Sequence, residues 1–275
     1  MSTGISKSAS SLVPKDPSKV MVTREVTPEI TTFSTPFLRF GRIKVGGRGT
    51  LVRLSSGALA VFSPVALTDD VRSTVTAKGG NVKYIVALDF EHHIFIGPWA
   101  KAYPNAEVIG VEGLPEKREQ DADTKGVKFH HVFSGSNKLD LKISDEFSRD
   151  FDVEYFHSHP NKELAFLHKP SRTMIEADLL FNLPATEQFS KSGLSPTAGI
   201  LTKLFGGIMH TRGPMIWQKR ALWYGSKDRP AFSQSVNRVK AWDFDRIIPC
   251  HGDVIETGGK AKWDELTSWF VAGKH

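Results

Sequence analysis

Apolar residues along this 275-residue chain gather mostly in runs of strand length, and helical periodicity shows only in a few stretches between them. Residues 1–29 are polar, carry Pro14, Pro17 and Pro28 and follow neither period, so they are expected to form a flexible N-terminal arm. A single domain is expected over 30–275. Within it, TTFSTPFLRF and GRIKV carry the aromatic and β-branched residues of strands, and LVRL, the Ser55-Ser56-Gly57 turn and ALAVFS predict a hairpin. Thr68 before Asp69 and Asp70, with Val71 and Val75 four apart and Gly79-Gly80 at the end, predicts a short helix. VKYIVAL is nearly all apolar and predicts a strand buried on both faces that runs straight into Asp89-Phe90-Glu91-His92-His93. GPWAKAYP predicts a short helix, and EVIGV and VKFHHVF predict two more strands.

The second half follows the same pattern. EYFHSH, ELAFLH and TMIEADLLF are strand-like, with turn chemistry in KPSR, and Asp178 lies near the end of its strand. SQSVNRVKAW predicts a helix, DRIIPC a short buried strand ending at His251-Gly252-Asp253, and KAKWDELTSWF a closing amphipathic helix. Three polar clusters thus follow three apolar strands, and in layered α/β folds ligands collect beyond strand ends. The irregular stretch 186–232 mixes GILTKLFGGIMH with Trp217, Trp223 and Tyr224. It reads as an insertion that packs on the core, caps the site or touches a membrane surface.

Composition narrows the class. Hydrophobic residues make up 40% of the chain, and no apolar run approaches the roughly 20 residues of a membrane span. The opening residues lack the apolar core of a secretion signal; their Ser and Lys content resembles a transit peptide in part, but they carry no Arg before Arg24 and no amphipathic stripe. The expected location is cytoplasmic. Cys250 is the only cysteine, so any metal is held by nitrogen and oxygen with at most one sulfur. A net charge of +6 suits an acidic small-molecule substrate or a solvated basic surface, and no Lys/Arg block points to nucleic acid. Oligomeric state is not legible.

The residue types that bind divalent metals are present at the strand ends. His92, His93, Asp178 and His251 could converge on one ion, provided the chain turns after VKYIVAL, since adjacent histidines on a regular strand face opposite ways. The same alternation turns Cys250 away from His251, as a small buried apolar residue. His168 either orients a ligand or caps the turn before Lys169-Pro170, and Asp253 either fixes the tautomer of a ligating imidazole or caps a loop. His130, His131, His157 and His159 are expected in surface or structural roles.

The order of these segments resembles the metallo-β-lactamase superfamily: an apolar strand then His-His, paired strands ending in EADLLF, and IIPCHGD followed by a helix. SPVALTDDV, DFEHHIFIGPWAKAYPNAEVIGVEGL, ELAFLHKPSRTMIEADLLFNLP and WDFDRIIPCHGDVIE are similar to an uncharacterised domain-of-unknown-function family within it, over residues 51–270. The resemblance implies an α/β fold, a four-layer αββα sandwich with a metal cleft at one edge of two packed sheets. Against the H-x-H-x-D-H motif of the superfamily, His93 matches the last histidine and His92 stands in place of the aspartate, while Leu88 and Phe90 stand where the first two histidines belong. The resemblance therefore implies a degenerate motif and one divalent ion, zinc first with iron or manganese as alternatives, held by His92, His93, Asp178 and His251. It also places Glu163, ahead of His159, as a fifth ligand or general base.

The leading expectation is a metal-dependent hydrolase that makes hydroxide available at neutral pH to attack an ester, thioester, lactone or phosphodiester. Four protein ligands closing a tetrahedral shell would instead make a structural site in a binding or scaffolding protein. An iron-dependent redox or isomerising enzyme is the third expectation.

Overall fold

The computed structural model describes residues 11–122 and 124–271. In chain order the first half comprises α1 (Pro17–Val20), β1 (Val22–Glu25), β2 (Ile30–Thr35), β3 (Leu38–Arg39), β4 (Ile43–Lys44), β5 (Gly47–Arg53), β6 (Leu59–Phe62), α2 (Asp69–Ala77), β7 (Val82–Val86), α3 (Ile96–Ala102), β8 (Glu107–Val111), α4 (Leu114–Glu119) and β9 (His131–Phe133). The second half comprises α5 (Asp145–Asp150), β10 (Phe151–Phe156), β11 (Glu163–His168), β12 (Thr173–Glu176), α6 (Thr186–Phe189), α7 (Ile200–Ile208), α8 (Ile216–Gly225), α9 (Arg229–Lys240), β13 (Arg246–Pro249) and α10 (Gly259–Val271).

Seven strands form one sheet in the order β1-β2-β5-β6-β7-β8-β9, four form a second in the order β10-β11-β12-β13, and β3 and β4 make a small separate hairpin. Side-chain alternation explains why the second sheet is covered on both sides. Tyr155, Leu164, Phe166, Ile175 and Ile248 face the first sheet within one large core, whereas their neighbours Phe156, Ala165, Leu167, Met174 and Ile247 pack with Phe232 and Val236 of α9 and Trp263 and Leu266 of α10. Val71 and Val75 of α2 and Ile96 and Trp99 of α3 are buried with the first sheet. The result is the expected four-layer αββα sandwich. The α2 start is also as expected, with the Thr68 side chain accepting from the Val71 N–H.

Two expectations shift. The sheet begins before residue 30: Val22–Glu25 pairs with β2, Val22 opposite Ser34 and Glu25 opposite Thr31. An edge strand takes its backbone hydrogen bonds from one neighbour, so a short polar stretch anchored by buried Met21 suffices. The first ten residues of the expected arm lie outside the described residues. The stretch 186–232 folds into α6, α7, α8 and the start of α9 and lines no part of the cavity described below, so it is not a cap. Its inner face packs on the core, with Phe189, Phe205 and Met209 in a small apolar cluster around Val45 and Phe181.

Register places the strand ends. β12 and β13 run parallel with Glu176 opposite Pro249, so Asp178 and His251, each two residues further on, emerge at one level. The Leu164 N–H donates to Leu88 O (2.7 Å) and the Phe90 N–H to Asn161 O (2.9 Å), tying the loop after β7 to the start of β11 in the other sheet.

Candidate metal centre

The chain turns immediately after β7, as two adjacent histidines require. Asp89 is fully buried, and its Oδ1 accepts from the backbone N–H groups of Glu91 (2.7 Å) and His92 (2.6 Å), which closes a tight turn. The same carboxylate accepts from His92 Nδ1 at 2.9 and 3.0 Å, so the far ring nitrogen, Nε2, is the one left to face the cleft. His251 is oriented alike: its Nδ1 donates to Gly46 O at 2.6 Å, and its ring lies between Phe37 and Phe181, the latter stacked at 5.0 Å. Gly252 makes this loop possible, because its φ of +92° suits glycine and a Cβ there would stand 2.2 Å from Asn182 O.

Asp178 sits just past β12 rather than within it. Its turn is held by Glu163, whose carboxylate accepts from the N–H groups of Ala177 (2.7 Å), Asp178 (2.9 Å) and Leu179 (3.3 Å). Asn161 Nδ2 donates to Asp178 Oδ2 at 2.5 Å, while Oδ1 is buried without a hydrogen-bond partner. That orphaned oxygen is 3.2 Å from His251 Nε2, which in turn is 3.1 Å from His92 Nε2.

These separations fit a shared ion. Donors about 2.1 Å from a zinc ion stand roughly 3.4 Å apart in a tetrahedron. Both Nδ1 atoms carry a proton, since a carbonyl and a carboxylate can only accept, so the neutral rings aim two Nε2 lone pairs and one carboxylate oxygen at a common point. The local field also calls for positive charge. Burial disfavours the His92 imidazolium, but Asp89 and Asp178 outweigh it and carry its pKa up to about 9. Burial likewise opposes ionisation of Asp178, yet His92 and His251 hold its carboxyl below the usual range. Among the described residues, this triad is the group of three or more His, Cys, Asp or Glu side chains placed to hold a metal.

The triad opens onto a cavity of about 630 Å³ with Phe37, Ile94 and Phe95 on its apolar walls and Arg39 among its polar residues. Arg39 also helps to hold the Asp178 carboxyl down.

Three other expected site residues do not belong to this converging group. His93 lines the same cavity but is not among the converging donors, and its Nδ1 accepts from Arg118 Nη1 at 2.9 Å. Burial, with Lys117 and Arg118 alongside, lowers its pKa to about 3. The fully buried Glu163 carboxylate accepts from three backbone N–H groups and is not grouped with the triad. Burial and the neighbouring Glu176 raise its pKa well above the ordinary value. Asp253 does not touch His251; its Oδ1 caps α6 by accepting from the Glu187 N–H at 2.9 Å.

The other histidines fall outside the triad. His168 Nδ1 pairs with Ser171 Oγ at 2.7 Å, the turn-capping role. His159 is buried beside Glu163, and its Nδ1 accepts from the Asn161 N–H at 3.3 Å. His130 and His131 bond Val108 and Glu107 on β8. Cys250 is buried, its Sγ 3.5 Å from Arg48 O. Sequence reading missed Asp89, Asn161 and the Gly46 carbonyl. An acid three residues before His92 at a strand end was the available sign for Asp89, whereas nothing local marks the other two.

The family model described as Domain of unknown function (DUF4336) matches residues 38–197, more than half of the chain. No curated protein matches the sequence. Solved structures do. A metallo-β-lactamase from Pontibacter korlensis aligns with a TM-score of 0.55 at 11% identity, over 91% of this chain and 98% of its own. The metallo-β-lactamase FIM-1 from Pseudomonas aeruginosa, in its mono-zinc form, aligns with a TM-score of 0.57 at 11% identity, over 94% and 96%. The metal-soaked Flv1 flavodiiron core from Synechocystis sp. PCC6803 aligns with a TM-score of 0.59 at 12% identity, over 91% of this chain and 60% of its own. At these identities the likeness is one of fold, and the fold is that of the metallo-β-lactamases.

Proposed function

This chain belongs to the DUF4336 family, and we propose that it is a metal-dependent hydrolase with His92, Asp178 and His251 holding one divalent ion. One observation carries the reading: three buried or half-buried donors, each fixed at its far atom, aim at a single point that borders an open cavity. Three protein ligands leave room at the ion for water and substrate, whereas structural zinc sites are closed by four. A divalent ion held by His92, Asp178 and His251 would supply Lewis acidity and lower the pKa of water to about 7.

The rest falls to the chain. Asp89 and Gly46 O keep both imidazoles in the tautomer that presents Nε2, and Asn161 turns Asp178 so that Oδ1 faces the cleft. Arg39, a cavity residue that forms no ion pair among the described residues, is placed to receive an anionic part of the substrate. The walls from Phe37, Ile94 and Phe95 suit an apolar portion. The substrate class stays as broad as an ester, thioester, lactone or phosphodiester of a small molecule. The donor set suits zinc first, and iron or manganese as alternatives. No helix among the described residues is long and apolar enough to cross a membrane, and a cytoplasmic location belongs to the same proposal.

An assay panel over those four bond types, run on wild type and Asp178→Asn, tests it. The expected result is turnover of at least one class that falls by a hundredfold or more in the variant while the melting temperature stays within a few degrees. Equal turnover in both proteins would exclude this site.

A further inference from the structure

The tip of the β3–β4 hairpin and the outer faces of α7 and α8 expose apolar side chains that no other described residues cover. Phe40, at the hairpin tip, is 76% exposed between Arg39 and Arg42. On α7, Ile200 (79%), Leu201, Leu204 (64%) and Ile208 fall within one side of the helix, while Thr202 is buried and Phe205 and Met209 pack on the core. On α8, which contacts α7, Trp217 and Tyr224 are exposed. Hairpin and helix form one unit: Lys44 Nζ donates to Ala198 O at 2.9 Å and the Lys44 N–H to Thr202 Oγ1 at 3.2 Å.

Charge says what this surface suits. The chain has 36 Lys and Arg against 30 Asp and Glu, yet residues 188–227 contain six of the cations and no acid, so the remainder carries thirty of each. Lys219 turns inward to Glu265. The other five, Lys191, Lys203, Arg212, Arg220 and Lys227, are exposed and form no ion pair among the described residues. Five cations without an ion pair among the described residues thus lie in the acid-free stretch that also carries most of the exposed large apolar residues. A second copy of the same face would bring like charges together. Helix α7, at nine residues, rises about 13 Å and is too short to cross a bilayer of roughly 30 Å.

We propose that this face docks the protein on an anionic phospholipid surface, with Phe40, α7 and Trp217 entering the headgroup boundary and the cations meeting lipid phosphates. The hairpin that carries Phe40 also supplies Phe37 and Arg39 to the cavity, so docking would set the cavity mouth beside the bilayer. This inference does not depend on the catalytic reading.

Vesicle co-sedimentation of the full chain tests it, with phosphatidylserine mixed into phosphatidylcholine and with phosphatidylcholine alone. Wild type is expected to bind the anionic vesicles and to release at high salt. The Leu201→Ser/Leu204→Ser double variant should partition at least tenfold more weakly at an unchanged melting temperature. Lys203→Gln and Arg220→Gln should each cost about fivefold. Trp217 fluorescence in wild type, read against Trp217→Phe, should shift to the blue on anionic vesicles. Absence of that shift together with absence of sedimentation would overturn the proposal, as would equal binding to phosphatidylcholine alone. So would a dimer in solution that Leu201→Ser/Leu204→Ser converts to monomer, since a second copy would then be the occupant.

Discussion

His92 Nε2 and His251 Nε2 stand 3.1 Å apart with both rings protonated at the opposite nitrogen, so in the neutral state two lone pairs face each other across a buried carboxylate oxygen. Such an arrangement is unfavourable unless a proton or a cation lies between the donors.

Asp89 orients His92 and also closes the turn that presents it. Asp89→Ala should weaken zinc affinity by about 10- to 100-fold, read by competition with a chromogenic chelator. Unchanged affinity would show that the ring is held by other means.

Glu163→Gln separates scaffolding from proton transfer. The amide cannot accept from all three N–H groups that the carboxylate serves, so stability should fall by roughly 1–3 kcal/mol in urea unfolding. The pH profile of any hydrolysis should keep its shape, whereas a general base would lose its acidic limb.

His93→Ala should leave metal stoichiometry unchanged, because its Nδ1 is taken by Arg118 and it is not among the converging donors. His92→Ala should lose bound metal. Equal loss in both variants, by elemental analysis, would put His93 back among the ligands.

The metal-free protein should lose stability as pH rises from 6.5 to about 9. The folded pKa of His92 lies above its unfolded value, so its contribution is complete below 6.5 and is lost as the proton leaves near 9. The size is roughly 3 kcal/mol from a shift of this extent. Metal binding needs the neutral ring, so zinc affinity should rise over the same window. Urea midpoints with and without zinc across this range check both signs.

Much of this was legible in the sequence. Apolar runs such as VKYIVAL and DRIIPC marked strands whose ends carry His92 and His251, and the spacing around Thr68 marked the start of α2. The parallel pairing of β12 with β13 was not legible, because the two strands are separated by the whole stretch 186–232, and it is this register that levels Asp178 with His251. Roles decided by a turn were also hidden. Whether His92 or His93 converged with Asp178 and His251 depended on the Asp89 turn, and Glu163, an acid of the type a base requires, meets backbone donors that only the fold brings near it. Residues 22–25 were hidden for another reason, since an edge strand needs little apolar signal of its own.

Elemental analysis of the protein purified without added metal, followed by zinc titration, addresses the central claim most directly. One divalent ion per chain is predicted for wild type, with less than about a tenth of that in an Asp178→Ala variant that melts as wild type does. A wild-type chain that neither carries nor takes up a divalent ion, or one that binds two, would contradict it.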